Sequence, residues 1–425
     1  MKQQEKETFY KKKLSNGIPV VAANIPYLRS ISIGIWIKVG SRNETRELNG
    51  IFHFLEHLAF KGTKRRSAHQ IAIEMDSIGG HMDAFTSREY TCYSAKVLDE
   101  HLPIAVDVLS DILLHSVFDP KEIERERQVI LEEISMVDDS PDNYIFDLLY
   151  KKAWSQHSLG LPTQGFSETV NRISRQDILD YMDKFYSSNN IIISIAGNID
   201  FSAMMDLLEK HFGSFNSSEE IKASPAHKIN SGVASKYKDL EQVHICLGTS
   251  GIKINDEQRY ECYLLNTLLG GSMSSRLFQK IREEKGLAYS VHSSNYNYND
   301  TGLFIIYAAT GVKKYSTALK LIVQELKDIK NNKISENELV RAKNQLKGLL
   351  MLSLESSGSR MMQLAKEEMY FKKHFTLDEI IKRIDEVNTD GIKCLANRLF
   401  DSQLFTLALL GPIEDKKDFN QILHC

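Results

Sequence analysis

Five consecutive residues, 53–57, contain two histidines and one glutamate. Residues four positions apart lie about 40° from each other around a helix, so the imidazoles of His53 and His57 face the same way. Glu56 precedes the second histidine and leans toward that face. Two neutral imidazoles and a carboxylate around one point suit a Zn²⁺ ion with an activated water. The spacing H-x-x-E-H is the inverted form of the H-E-x-x-H zinc-binding motif. A core helix with two hydrogen-bonded histidines, or a polar helix face, is the alternative interpretation.

A third ligand is expected on a second helix. Asp119-Pro120 is typical of a helix start, and the apolar residues that follow have helical spacing: Ile123, Ile130, Ile134 and Val137. Relative to Ile130, Glu133 lies at about −60° and Glu126 at about −40°, beside the buried stripe. The neighbouring Glu132 falls on the solvated side. A pair of carboxylates at a buried edge requires a cation or hydrogen-bond donors. The alternative interpretation is that both glutamates lie at the solvent-exposed edge of the helix and bind no metal.

Length, charge and cysteine usage limit the class of protein. The chain has 425 residues, enough for two or three domains, and its net charge is only −3, so no bulk charge indicates nucleic acid or a membrane as a partner. The five cysteines are scattered and contain no C-x-x-C, which favours free thiols in a reducing compartment. The hydrophilic N-terminus resembles neither a signal nor a transit peptide. We expect a cytoplasmic protein, with a processed organellar matrix protein as the alternative.

The order of predicted elements repeats along the chain. Strands are predicted at 18–23, 31–39 and 82–98, with helices near 99–116 and 120–137; the second half repeats this with strands at 243–248 and 288–309 and helices near 313–330 and 335–352. Gly79-Gly80 and Gly270-Gly271 precede strands in the two halves. This predicts an α+β fold of two homologous α/β units, each an antiparallel-rich sheet with helices on one side. The expected domains are 1–215 and 239–425, joined by a polar linker at 216–238.

The repeat also supplies an internal control for the metal site. Aligning the two helix starts sets Glu126 against Ala342 and Glu133 against Leu349, and the second half lacks a histidine pair in 256–271. The carboxylates therefore occur only in the half that has the histidines. A generic solvated helix face does not explain this correlation, so the repeat favours the metal site.

The segment 50–63, GIFHFLEHLAFKGT, resembles the active-site helix of the pitrilysin/insulinase metallopeptidases, closest to the branch of mitochondrial processing peptidase and its bacterial relatives. In that family the third zinc ligand is a glutamate some 75 residues beyond the second histidine; here 133 − 57 = 76. Residues 126–133 match the family's E-x(6)-E pattern. The resemblance implies one Zn²⁺ per chain held by His53, His57 and Glu133, with Glu126 as a supporting carboxylate. It covers the chain from about 14 to 410.

Two further segments resemble functional parts of the family. Residues 275–289 resemble a distal segment in which an arginine and a tyrosine seven residues apart reach the substrate; Arg282 and Tyr289 match these positions. Residues 79–89 resemble a strand at a sheet edge, where a substrate peptide adds as a further strand. This implies substrate contacts at Asp83, Ala84 and Phe85, although the family often has Asn where this chain has Asp83. His81 is treated as a non-ligand because three ligands are already assigned.

The resemblance implies a zinc metalloendopeptidase that cleaves short or unfolded peptides inside a dimeric chamber. A zinc-activated water is the expected nucleophile and Glu56 the general base. The family builds its chamber from four α/β units and this chain holds two, so a half-chamber of the processing-peptidase type and a homodimer are expected. A heterodimer with a metal-free paralogue is the alternative. Two alternatives come from other classes of protein: a non-catalytic subunit of the kind found in the respiratory cytochrome complex, and a module that captures unfolded peptides without cleaving them. Within the peptidases, the sequence does not distinguish a processing peptidase from a general oligopeptidase.

Overall fold

The protein forms two units. The computed structural model describes residues 7–217, 221, 224–226, 228–413, 419 and 422–423. The first unit comprises the described parts of Met1–Ser135, Leu161–Ser224 and Ser353–His374, and the second those of Met136–Gly160, Pro225–Leu352 and Phe375–Cys425. Each unit thus includes a segment from the other half of the chain. The expected domains, 1–215 and 239–425, do not include this exchange of segments.

Eleven strands of the described chain form two sheets. In chain order they are β1 (Thr8–Lys13), β2 (Pro19–Asn24), β3 (Ser30–Ile37), β4 (His81–Thr86), β5 (Thr91–Leu98), β6 (Ile191–Gly197), β7 (Gly232–Tyr237), β8 (Gln242–Ser250), β9 (Ala288–Asn297), β10 (Gly302–Gly311) and β11 (Thr406–Gly411). The first sheet has the order β1-β2-β6-β3-β5-β4 and the second the order β7-β11-β8-β10-β9.

The two sheets share one topology. In the first, β2 and β6 are parallel and every other neighbouring pair is antiparallel. In the second, β7 and β11 are the parallel pair and the remaining pairs are antiparallel. The order β2-β6-β3-β5-β4 is therefore repeated as β7-β11-β8-β10-β9. This confirms the prediction of two homologous α/β units built on antiparallel-rich sheets.

Fourteen α-helices of the described chain accompany the sheets. They are α1 (Ile51–Ala59), α2 (Ala68–Ser77), α3 (Leu102–Leu114), α4 (Pro120–Asp139), α5 (Pro141–Ala153), α6 (Ser167–Val170), α7 (Arg175–Phe185), α8 (Phe201–Phe212), α9 (Arg259–Leu269), α10 (Tyr315–Asn331), α11 (Glu336–Ser353), α12 (Ser357–Tyr370), α13 (Leu377–Glu386) and α14 (Thr389–Leu399). A π-helical segment, Phe278–Glu284, lies between α9 and β9. None of the described helices is long and apolar enough to cross a membrane.

Helices cover both faces of each sheet, not one face as predicted. On the first sheet, α12 packs Met361 and Leu364 against Trp36 and Ile192 on the face opposite the main core. On the second sheet, α5 occupies the corresponding face and packs with inner-strand residues such as Leu303. The central strands are apolar on both faces: every residue of β6, for example, is buried. A strand buried on both faces requires a covering layer on each side.

Three local expectations differ from the structure. The strand predicted over 82–98 is two strands, because the chain turns at Ser87, whose hydroxyl donates to the Tyr90 carbonyl. Gly79-Gly80 directly precedes β4, whereas Gly270-Gly271 directly follows α9, so the two glycine pairs are not equivalent. Within the expected linker, Gly232–Tyr237 is the strand β7. The linker residues 218–220, 222–223 and 227 lie outside the described part of the chain.

Candidate active site

The candidate site lies on the polar face of the short helix α1. Its buried face is apolar and includes Phe54, Leu55 and Leu58. His53, Glu56 and His57 lie on the less buried face. The two imidazole rings have centroids 4.6 Å apart, as the spacing of four residues predicts. The apolar face therefore fixes the orientation of the helix, and the histidines project from the opposite side.

The second helix, α4, begins where the sequence indicated. Pro120 is its first residue, and the Asp119 carboxylate accepts a hydrogen bond of 2.7 Å from the Lys121 amide. Ile123, Ile130 and Ile134 are buried along its inner face. Glu126 lies in the buried part of the helix, whereas the side chain of Glu133 is 44% exposed. The predicted stripe therefore sets the rotation of α4 and directs both carboxylates toward α1.

Three side chains form a group that could hold a metal ion. His53 Nε2 and His57 Nε2 each lie 3.6 Å from Glu133 Oε2, and the three ligand atoms lie within 4.8 Å of one another. Two ligands at about 2.1 Å from a tetrahedral zinc ion are separated by about 3.4 Å, so the two histidine–glutamate distances are close to those such an ion requires. Within the described residues, no other group of three such side chains is found.

The protonation state of His53 also suits a metal ligand. Burial, reinforced by the charge of His57, lowers the pKa of His53 to about 3. The imidazole is therefore neutral near pH 7, which is the form that coordinates metals. Two nitrogen ligands and one carboxylate are a donor set typical of catalytic zinc sites that leave a fourth position open.

Glu56 is held beside this group without belonging to it. The Thr86 hydroxyl donates a hydrogen bond of 3.0 Å to Glu56 Oε2. Burial is the main cause that raises the pKa of Glu56, and the charges of Glu133 and Asp83 add to the increase; Thr86 and His57 oppose it. A carboxylate with a raised pKa is a stronger proton acceptor than an ordinary glutamate.

Glu126 and a lysine support the second histidine. Glu126 Oε2 lies 3.2 Å from His57 Nδ1, and the ammonium of Lys61 lies 2.8 Å from Glu126 Oε1. Glu126 therefore contacts the ring nitrogen that faces away from Glu133, as a residue that orients a ligand imidazole does. Lys61 was not singled out from the sequence. A signal was available, because Lys61 follows His57 by four residues just beyond the end of α1.

Among the strands of the described chain, β4 lies at one edge of the first sheet and pairs with β5 alone. Alternate residues of a strand point to opposite faces. Ala84 packs against the core that contains α1, whereas Phe85 packs against Trp36 on the other face at a ring distance of 5.9 Å. Asp83 shares the face of Phe85 and is exposed. The free side of β4 therefore presents unpaired backbone groups next to Glu56. His81 is not part of the metal-ligand group.

Arg282 and Tyr289 come together in the second unit. Arg282 belongs to the π-helical segment and Tyr289 to the edge strand β9. The guanidinium carbon of Arg282 lies 4.9 Å from the centroid of the Tyr289 ring and 4.7 Å from that of Phe278. Tyr289 is nevertheless 78% exposed. The guanidinium therefore stacks on the ring while the phenol hydroxyl is accessible to a binding partner.

Comparison with known proteins places this arrangement in a family. The family described as insulinase (peptidase family M16) matches residues 19–166, and the one described as peptidase M16 inactive domain matches residues 172–346. The first range contains His53, His57 and Glu133, whereas the second begins within the first unit and extends into the second.

Relatives that match nearly the whole chain are described as zinc proteases. The chain is 45% identical to the uncharacterized zinc protease YmxG of Bacillus subtilis over 93% of this chain and 97% of the relative. It is 41% identical to an uncharacterized zinc protease of Rickettsia felis over 96% and 98%. The crystal structure of a protease from Helicobacter pylori has 25% identity and a TM-score of 0.90, over 95% of this chain and 100% of that chain. This protein belongs to the insulinase, or M16, family of peptidases.

Proposed function

We propose that the protein is a zinc-dependent endopeptidase that cleaves short or unfolded peptides. The observation that carries the proposal is the convergence of His53, His57 and Glu133 beside the partly buried carboxylate of Glu56. The relatives described as zinc proteases support the same activity. We assign one Zn²⁺ to each chain, held by the two imidazoles and the Glu133 carboxylate.

Bound zinc would supply Lewis acidity, which polarises a peptide carbonyl and makes a neighbouring water more acidic. Glu56 takes a proton from the attacking water through the oxygen that Thr86 does not occupy. The raised pKa of Glu56 favours this proton uptake, and the same carboxyl then gives the proton to the more basic leaving amine. Glu126 holds the His57 ring in one orientation through both steps.

The substrate is proposed to bind as an additional strand along the free edge of β4. Backbone groups are common to all peptides, so this mode accepts varied sequences but requires an extended chain. The backbone groups of Asp83, Ala84 and Phe85 would pair with the substrate backbone and place the substrate next to Glu56. The exposed Asp83 carboxylate disfavours acidic substrate residues nearby. A folded protein cannot pair in this way, so short or unfolded peptides are the expected substrates.

The alternatives make different demands on Glu56. A non-catalytic subunit, or a module that only captures peptides, needs no carboxylate held by Thr86 beside a metal site. The presence of Glu56 at hydrogen-bonding distance from Thr86 therefore favours an enzyme. Whether the peptidase is of the presequence-processing type or a general oligopeptidase depends on its substrates. The free thiols of the described cysteines are compatible with the predicted cytoplasmic location, which stays a prediction.

Cleavage of a quenched fluorescent peptide library tests the activity. We expect purified protein to cleave the library, to lose this activity with a chelator, and to regain it when Zn²⁺ is restored. Cleavage that is insensitive to the chelator would contradict the zinc assignment. Absence of cleavage by protein that retains zinc would favour capture of peptides instead.

We further propose a homodimer in which Arg282 and Tyr289 complete the site of the opposite subunit. The exposed phenol can donate to an oxyanion, and loss of one such donor typically lowers kcat by about 10²–10³. Glu56→Gln and Tyr289→Phe would each inactivate homodimers. In a mixed dimer, however, one site would combine an intact Glu56 with the partner's Tyr289.

Mixing the two inactive variants therefore tests this assembly. After subunit exchange, half of the dimers are mixed and each has one intact site, so we expect about a quarter of the wild-type activity. Glu56→Gln mixed with Glu56→Asn is the matched control and should stay inactive. No recovery in the first mixture, despite verified exchange, would contradict completion of the site between subunits. A heterodimer with a metal-free paralogue would then become the preferred assembly.

A further inference from the structure

The start of α1 lacks a side-chain cap of its own. Its N-cap residue is Gly50, in the left-handed conformation with φ 97°. A Cβ atom at this position would lie 2.7 Å from the Gln164 carbonyl oxygen, so the close approach requires glycine. The first amides of a helix have no partners within the helix, and a helix of nine residues is marginal by itself. The helix that carries both histidines therefore needs acceptors from elsewhere.

Glu44 supplies these acceptors. Its Oε2 accepts hydrogen bonds from the Gly50 amide at 2.8 Å and from the Asn49 side-chain amide at 2.7 Å. Its Oε1 accepts from the Phe52 amide at 3.0 Å. Glu44 is only 6% exposed, and Asn49 donates in addition to the Pro162 carbonyl at 3.0 Å. A carboxylate six residues upstream thus acts as the cap that Gly50 cannot provide.

The position of Glu44 links the helix to the proposed substrate strand. The preceding residues are bound to the turn after β4: the Ser41 amide donates to the Ser87 carbonyl at 3.1 Å, and the Arg42 amide to the Arg88 carbonyl at 2.8 Å. The Arg42 guanidinium also donates to Glu89 at 2.6 Å. The loop 40–44 therefore fixes the beginning of α1 relative to the end of β4, which is where Thr86 contacts Glu56.

Burial and hydrogen bonding act on the protonation of Glu44 in opposite directions. Burial raises the pKa of this carboxyl to about 8, whereas its three hydrogen bonds favour the ionised form. No ion pair of Glu44 with a cation is found within the described residues, so amide groups and the positive end of the helix dipole are what stabilise that form. A neutral residue of the same shape would avoid the cost of burying a charge but would lose an acceptor.

We infer that Glu44 is a positioning residue for the metal centre: it holds α1 in the orientation that sets His53 and His57 opposite Glu133. The inference rests on the proposed zinc peptidase function. Glu44 touches neither the ligand atoms nor a substrate, and it acts only through the helix. Its loss should therefore affect metal retention and turnover more than peptide binding along β4.

Zinc affinity and kinetics of Glu44→Gln test the inference. The variant keeps the size of the side chain but places an amide NH₂ group against helix amides. We expect zinc affinity to fall about 10-fold or more, in the range seen for residues that support metal ligands, and kcat to fall with KM little changed. Glu44→Asp keeps an anionic acceptor and should show a smaller loss.

Asp200→Ala is the matched control, because it removes a helix-capping acceptor that asparagine would keep. Asp200 caps α8 in the same unit by accepting from the Ser202 and Ala203 amides at 2.9 and 3.1 Å, and it has no role in the site. This variant should lose thermal stability without losing zinc affinity. A Glu44→Gln variant with wild-type zinc affinity and kcat would overturn the inference, as would an equal loss of zinc affinity in both variants. Failure of the wild-type protein to bind zinc would instead overturn the proposed function.

Discussion

Glu56→Gln is expected to eliminate peptide cleavage while zinc affinity stays near the wild-type value. The substitution preserves size and can keep a hydrogen bond with Thr86. It removes the only proposed proton acceptor, and general acid–base catalysis contributes typically about 10²–10⁴ in rate. Zinc content measured by atomic absorption, together with kcat/KM on a quenched peptide, checks both halves of the prediction.

Glu132→Gln is the matched control for this experiment. Glu132 is exposed on α4 next to Glu133, so the same chemical change is made close to the site but outside it. We expect wild-type kcat/KM and zinc content in this variant. Substantial turnover by zinc-loaded Glu56→Gln protein would remove Glu56 from the role of general base. Loss of zinc from that variant would show that Glu56 acts on the metal site itself.

His57→Ala is expected to lose zinc and, with it, all peptidase activity. The imidazole is one of the three proposed ligands, and it also connects the group to Glu126. A catalytic zinc site with two remaining protein ligands should retain little metal at micromolar protein concentrations. His69→Ala is the control, because His69 is an exposed histidine on α2 outside the ligand group.

A graded variant makes the metal prediction more specific. Glu126→Gln removes a charge beside the ligand imidazole but no ligand, so we expect zinc affinity to fall about 10–100-fold. The expected order of affinities is wild type, then Glu126→Gln, then His57→Ala. Equal zinc affinity in wild type and Glu126→Gln would contradict the supporting role of Glu126. Undiminished zinc content in His57→Ala would contradict the ligand set.

The elements of the site follow from local sequence patterns. The spacing of His53 and His57 needs only the periodicity of a helix, and the apolar stripe of α4 determines which of its glutamates face inward. Asp119-Pro120 marks the start of that helix, and the structure places the start there. These features depend on residues a few positions apart, so they are encoded within short segments and can be derived from the sequence alone.

Features that join distant segments could be decided only by tertiary structure. The cap of α1 by Glu44 spans only six residues, but it was missed because the path of loop 40–44 is set by its contacts with residues 87 and 88. The contact of Lys61 with Glu126 joins residues 65 positions apart, and its geometry depends on how α1 and α4 pack. Likewise, α12 covers the first sheet although it follows the second unit's α11 in the chain.

The sequence by itself determined the candidate ligands, the candidate general base and the repetition of an α/β unit, since each is visible in spacing or order. The tertiary structure decided that three ligand atoms converge within 4.8 Å, that β4 has a free edge, and that a helix from the other half covers each sheet. The physical reason is that periodicity fixes which face a side chain occupies, whereas packing between segments fixes what that face meets.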